Sequence, residues 1–104
     1  MIIFYLVMEI IITRSKKKDK KFDAIMDGKK TVSFGAAGMS DYTKHKDADR
    51  KERYIARHKK KEDWSNPKTA GFYAKNVLWN KTSLQASVAD INKKFPTMNV
   101  KLKL

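Results

Sequence analysis

The chain of 104 residues predicts an α+β fold in one small domain, on three observations. Apolar and polar residues alternate through its first third, as in half-buried strands. The pair Asp27-Gly28 stands between two such alternating runs and marks a hairpin, because both central residues of a type I′ turn need positive φ. Beyond about residue 47 the apolar spacing lengthens to that of helices, and after Pro96 it returns to alternation. The expected order is an N-terminal three-stranded antiparallel β-meander, then three short helices, then a C-terminal edge strand. Its expected bounds within a single domain, 1–104, are strands in 1–34, a loop over 35–46, helices in 47–95 and a tail or edge strand over 96–104.

The first strand is read from Ile2 to Thr13, where Ile2, Phe4, Leu6, Met8, Ile10 and Ile12 are apolar and the intervening positions include Tyr5, Glu9 and Thr13. This apolar run, broken by Glu9, falls short of the roughly 20 residues a membrane-spanning helix needs. A secretory signal would carry its cations before the apolar stretch, and here the lysines follow it. A buried strand is the expectation, with a membrane-docking or partner-docking segment as the alternative. Arg14 to Lys21, RSKKKDKK, holds six cations and one anion and must be a solvated loop or an anion-binding arm. Phe22, Ala24 and Met26 alternate before the Asp-Gly turn, and Val32 and Phe34 after it. Gly35 and Gly38 then free the backbone for a tight turn, with no Lys-Ser/Thr pair behind them to make a phosphate loop.

Asp47 can cap a helix running to about Lys60, with Asp49 in its first turn and Lys59, Lys60 and Lys61 near its end, each charge suiting the macrodipole. A second helix is expected over Thr69 to Trp79, with Phe72, Asn76 and Trp79 on one face and Tyr73 and Val77 on the next. Thr82 with Gln85 reads as a capping box opening a third helix, whose Leu84, Val88, Ile91 and Phe95 face a core and which Pro96 stops. The tail alternates Met98, Val100, Leu102 and Leu104 with Asn99, Lys101 and Lys103. It either returns to the sheet edge or docks on a partner, and Met98, Val100, Leu102 and Leu104 are the candidate docking residues.

A hydrophobic fraction of 41% and an aromatic fraction of 11% suffice for a real core, which excludes a disordered basic tail. The formal charge of +13 attracts polyanions at long range, so nucleic acid, anionic lipid and acidic protein surfaces are candidate partners. With no cysteine the chain has no disulfide, no thiolate nucleophile and none of the usual structural zinc patterns, which fits synthesis in a reducing compartment.

No arrangement of residues spells catalysis. His45 and His58 lack a third nitrogen or sulfur ligand, and Asp41, Asp47 and Asp49 offer oxygen ligands without the close spacing transition metals favour. Ser40, Thr43 and His45 are neighbours in sequence only, and the pairs Asp47/Asp49 and Glu62/Asp63 sit among cations as caps and charge balance. No catalytic residue, metal or cofactor is expected, and the protein is read as no enzyme.

The informative segment is RKERYIARHKKK. On a helix Arg50, Arg53 and Arg57 form one cationic stripe, while Tyr54, Ile55 and His58 turn toward the fold. Guanidinium groups clasp phosphate or carboxylate with two hydrogen bonds, and such a stripe joined to a lysine loop is enough for non-specific duplex binding. The candidate polyanion or acidic-partner contacts are therefore Arg14, Lys16, Lys17, Lys18, Lys20, Lys21, Arg50, Arg53, Arg57, Lys60 and Lys61. The plainer reading is a solvated face paired with Glu52, Asp47 or Glu62. Trp64, Phe72, Tyr73 and Trp79 interleave with lysines, and their helical spacing favours a core over base stacking.

The run SFGAAGMSDYTKHKDADRKERYIARHKKKEDW, followed by TAGFYAKNVLWNKTSLQASVADINKKF, resembles a family of short basic proteins of unknown function from nucleocytoplasmic large (giant) DNA viruses. The likeness spans about residues 31–95 and rests on Phe34-Gly35, Asp41-Tyr42-Thr43, Arg53-Tyr54, Arg57-His58 and Leu78-Trp79-Asn80-Lys81, among others. It implies a viral origin and transfers no catalytic residue. A small folded basic protein in that setting is expected to be a virion structural protein, a minor capsid protein stabilising the shell by protein-protein contacts. The alternative is a non-specific nucleic-acid-binding, genome-packaging protein. The expected site is the virion capsid after synthesis in the host cytoplasm. The expected partners are other capsid proteins, with viral DNA or an anionic membrane surface as alternatives and no small-molecule substrate. A capsid cement should copurify with DNA-free particles, and recovery only with the genome core would speak against it.

Overall fold

The computed structural model of the chain describes residues 7–104, so the alternation at Ile2, Phe4 and Leu6 lies outside the described residues. Three antiparallel strands open the fold: β1 (Met8–Arg14), β2 (Lys20–Met26) and β3 (Lys30–Ala36). The β2–β3 turn is the one the Asp-Gly pair requires. Asp27 and Gly28 have φ of 50° and 69°, and the Lys29 amide donates to the Met26 carbonyl at 2.9 Å. Asp27 also reaches across to β1, where its carboxylate accepts the Glu9 amide at 2.9 Å. The turn is thereby tied to the sheet as well as closing it.

After β3 come α1 (Tyr42–His45), α2 (Ala48–His58), α3 (Ala70–Tyr73), a π-helical turn (Ala74–Leu78), α4 (Leu84–Lys94) and β4 (Met98–Leu102). β4 lies beside β1 and parallel to it, giving the sheet order β3-β2-β1-β4. The predicted α+β class, meander and C-terminal edge strand are all present.

Details differ from the sequence reading where a side chain settles a boundary. The expected loop over 35–46 contains α1, capped by the Asp41 carboxylate, which accepts the Thr43 amide at 2.9 Å. The second helix is a single α turn that widens into a π turn, where the Trp79 amide donates to the Ala74 carbonyl five residues back. The last helix is capped by Ser83, whose hydroxyl accepts the Ala86 amide at 3.1 Å, and not by Thr82.

The inward sheet face presents Ile10, Ile12, Ala24, Met26, Phe34, Met98 and Val100, all buried, to Phe72, Tyr73, Val77, Leu78, Val88 and Ile91 from the helical layer. Phe72, Tyr73 and Phe34 pack ring to ring at centroid distances of 5.0 and 5.4 Å. The aromatics expected as core are therefore core at Phe72 and Tyr73, whereas Trp64 and Trp79 are only half-buried. α2 buries Tyr54 alone, so it stands off the sheet with most of its surface in water.

On the outer sheet face Asp23 accepts hydrogen bonds from the Ser15 and Ser33 hydroxyls, each at 2.7 Å, and from the Lys16 amide at 3.3 Å. Burial pushes its carboxyl up, but these bonds and the charge of Lys17 outweigh that and hold it below its ordinary value. Asp90 is also held low, chiefly by the hydrogen bond from Asn80, which with the cations Lys94 and Lys81 outweighs burial. A carboxyl whose folded pKa lies below its unfolded one stabilises fully above the ordinary range near about 4, and the contribution is lost as pH falls through the folded value. Asp23→Asn should accordingly flatten the fall of thermal midpoint below about pH 4. A variant falling as steeply as the parent would remove Asp23 as its source.

Candidate functional site

At the end of the sheet where the β1–β2 turn and the segment after β3 meet, a cleft of about 370 Å³ opens between β3, α2 and the α3–π helix. The Ala37 amide donates to the Asp19 carbonyl at 2.9 Å and joins the two loops. Lys20 and Lys21 from β2 and Arg57 from α2 line this cleft together, with Phe34, Leu78 and Trp79 among its apolar lining. A second depression of about 260 Å³ is lined by Arg50, Arg53 and Arg57 with Met39, Ser40 and Trp79. The two share Met39, Ser40, Arg57 and Trp79, so they form one continuous surface.

Several devices hold that surface in shape. The Lys21 ammonium pairs with the Asp41 carboxylate at 2.6 Å, with side chains only 10% and 3% exposed, and anchors the segment after β3 to β2. Gly35 lets the chain pass: its φ is 78°, and a Cβ there would stand 2.8 Å from Leu78 Cδ1. α2 is fixed from both sides. The Lys51 ammonium donates to the Asn80 carbonyl at 2.7 Å and lies 5.0 Å above the Tyr42 ring. Burial, with the neighbouring cations Lys81 and Lys94, pushes the Lys51 pKa down.

A row of rings completes the mounting. His45 lies 5.2 Å from Trp79, Trp79 stacks on Tyr54 at 4.4 Å and 3°, and Tyr54 stacks on His58 at 4.3 Å. Burial, with Glu62 nearby, raises the Tyr54 hydroxyl well above its usual range, so it stays neutral. The His45 Nδ1 accepts the Asp47 amide at 2.9 Å, and its Nε2 is buried without a partner. Among the described residues no cluster of three or more His, Cys, Asp or Glu is placed to hold a metal, and no helix is long and apolar enough to cross a membrane.

The candidate cations thus fall into groups. Lys20, Arg50, Arg53 and Arg57 gather on the cleft and its neighbouring depression. Lys21 is there too, but its charge is matched within the chain by Asp41. Arg14, Lys16, Lys17 and Lys18 are exposed on and beside the β1–β2 turn, and Lys60 and Lys61 are exposed beyond α2, outside both hollows. Among the described residues no carboxylate pairs with Arg50, Arg53 or Arg57. Asp47 instead caps α2, and Glu62 takes His58 and the Trp64 indole. The arginines are exposed, as the plainer reading expects, but among the described residues they lack the internal pairing it gave them.

The tail residues are used inside the chain. Met98 and Val100 are buried in β4 against β1, and Leu102 is half-buried there, while Leu104 is 54% exposed. The outward amide and carbonyl of Val100, which an added strand would need, are taken by the Asn92 side chain at 2.8 and 3.0 Å. Met39, Ser40, Trp79 and Glu62 were not legible as site residues. Trp79 carries helical core spacing, and Met39-Ser40 carries no signal beyond following Gly38.

Residues 10–58 match a family of unknown function (DUF5754), a span that takes in the meander from within β1, then α1 and the whole of α2 with its arginines. It overlaps the expected stretch of likeness over 31–58 and begins earlier, within β1. No curated protein and no solved structure matches the chain.

Proposed function

We propose that this is a binding protein, not an enzyme, and that it grips the phosphate backbone of nucleic acid without regard to sequence through Arg50, Arg53, Arg57 and Lys20. The observation that carries this reading is the gathering of three arginines, unpaired with any carboxylate among the described residues, on a hollow continuous with the Lys20 cleft. Guanidinium groups without internal partners offer their full bidentate capacity to phosphate. The net charge of +13 supplies the long-range attraction.

Replacing Arg50, Arg53 and Arg57 together by alanine should weaken binding to every duplex sequence tested and lower the slope of log K against log salt by about one unit per lost phosphate contact. An unchanged slope would take those arginines out of the interface. These exposed side chains contribute little to the core, so the thermal midpoint should hardly move.

The resemblance to giant-virus proteins is what supports a setting in the virion, with this activity serving genome packaging. A minor capsid role is the second reading. It would have to act through surface other than Met98 and Val100, since these are buried and the β4 edge beside them is closed by Asn92.

A further inference from the structure

Asp41 and Glu62 line the cleft together with Lys20, Lys21 and Arg57, beside Phe34, Leu78 and Trp79, and Arg50 and Arg53 line the depression that continues it. Asp41 is fully engaged by Lys21 and by the Thr43 amide and hydroxyl. Glu62 accepts one bond on each oxygen, from Trp64 Nε1 at 2.8 Å and with His58 Nδ1 at 3.2 Å, so each oxygen keeps acceptor capacity. A flat neutral group carrying N–H donors would be welcomed, and a volume of about 370 Å³ lies within the range of small-molecule sites.

We infer that the preferred ligand is single-stranded nucleic acid, with one unpaired base in the cleft between β3 and α2 and the flanking phosphates on Arg50, Arg53 and Arg57. This deepens the phosphate-binding reading and rests on it. A duplex can meet the arginines but must unstack and flip a nucleotide out before a base reaches the cleft. The cleft supplies the apolar walls, Glu62 the acceptor, and the adjoining arginines the counter-charge for the flanking phosphates.

The test uses the unaltered full chain, with binding read by intrinsic tryptophan fluorescence, to which Trp79 in the cleft wall contributes. Three probes are titrated at fixed salt: a deoxyadenosine oligonucleotide, an abasic strand of the same length and charge, and deoxyadenosine monophosphate. The base-bearing strand should bind about tenfold tighter than the abasic one, the scale of one base contact. Ala70→Leu fills the cleft mouth from an exposed position at the start of α3, and should erase that preference while leaving abasic-strand binding in place. Equal binding of the two strands, or a preference that survives Ala70→Leu, would overturn the base-in-cleft inference and leave the phosphate reading standing. A preference that persists when the arginine triple variant binds both strands as tightly as the parent would instead sink the phosphate reading. Competition by the mononucleotide as strong as by the strand would overturn the strand as ligand.

Discussion

A chain ending at Thr97, without Met98–Leu104, is expected to lose cooperative unfolding altogether. β4 is the edge strand, yet its loss strips more than an edge. Met98 and Val100 are 5% and 2% exposed, and in β4 Val100 and Leu102 lie beside Ile10 and Ile12, which are wholly buried in β1. Their removal opens the flank of the sheet to water and leaves Asn92 without the Val100 amide and carbonyl it bridges. Truncating a single buried Met to Ala costs about 2–5 kcal/mol, and whole domains are stable by only about 5–15 kcal/mol. Losing both side chains and the ladder to β1 exceeds what a domain of this size can absorb. Circular dichroism and urea titration of the truncated chain check it, with Met98→Ala as the milder variant expected to fold with a lowered midpoint. A truncated chain that still unfolds cooperatively would mean that β4 is dispensable and that the tail is available to a partner after all.

Asp41→Ala should be the most damaging single substitution around the cleft, at about 3–5 kcal/mol for leaving one member of a buried ion pair without the other. Lys21 sits beside Gly35 and has Asp41 as its partner at 2.6 Å, so its ammonium would be stranded at 10% exposure. The same substitution removes the α1 cap from Thr43. Lys21→Met keeps the aliphatic stem and leaves Asp41 its two bonds from Thr43, so it should cost less. The double variant should cost less than the sum, because the second change removes a charge the first had stranded. Urea midpoints at an unchanged m value measure all three. Additive losses would show that the pair is not coupled and that something else holds the segment after β3 over the sheet.

Much of the fold could be read locally. Alternation at Ile10 and Ile12, Ala24 and Met26, and Val32 and Phe34 reflects a sheet with one dry face. Asp27-Gly28 chose its turn because few other pairs tolerate positive φ at both positions. Asp47 capped the helix expected of it, since a cap needs only its own next three residues. Thr82 was expected to cap the last helix, but Ser83 caps it, and the helix begins one residue later.

The candidate site divides the same way. The sequence alone determined that Arg50, Arg53 and Arg57 share a helix face and that Tyr54 turns inward, because both follow from a period of 3.6 residues. It determined the class, the meander and the surplus of positive charge. Only the tertiary structure decided that β4 runs parallel to β1, pairing Met8 with Met98, since nothing in either strand's alternation names its neighbour. Only it decided that Lys21 is neutralised by Asp41 twenty residues away, while Lys20 beside it opens on the cleft with Arg57. Charges repel or pair through space, and the distances that settle which of them meet a ligand are set by contacts between residues far apart in the chain.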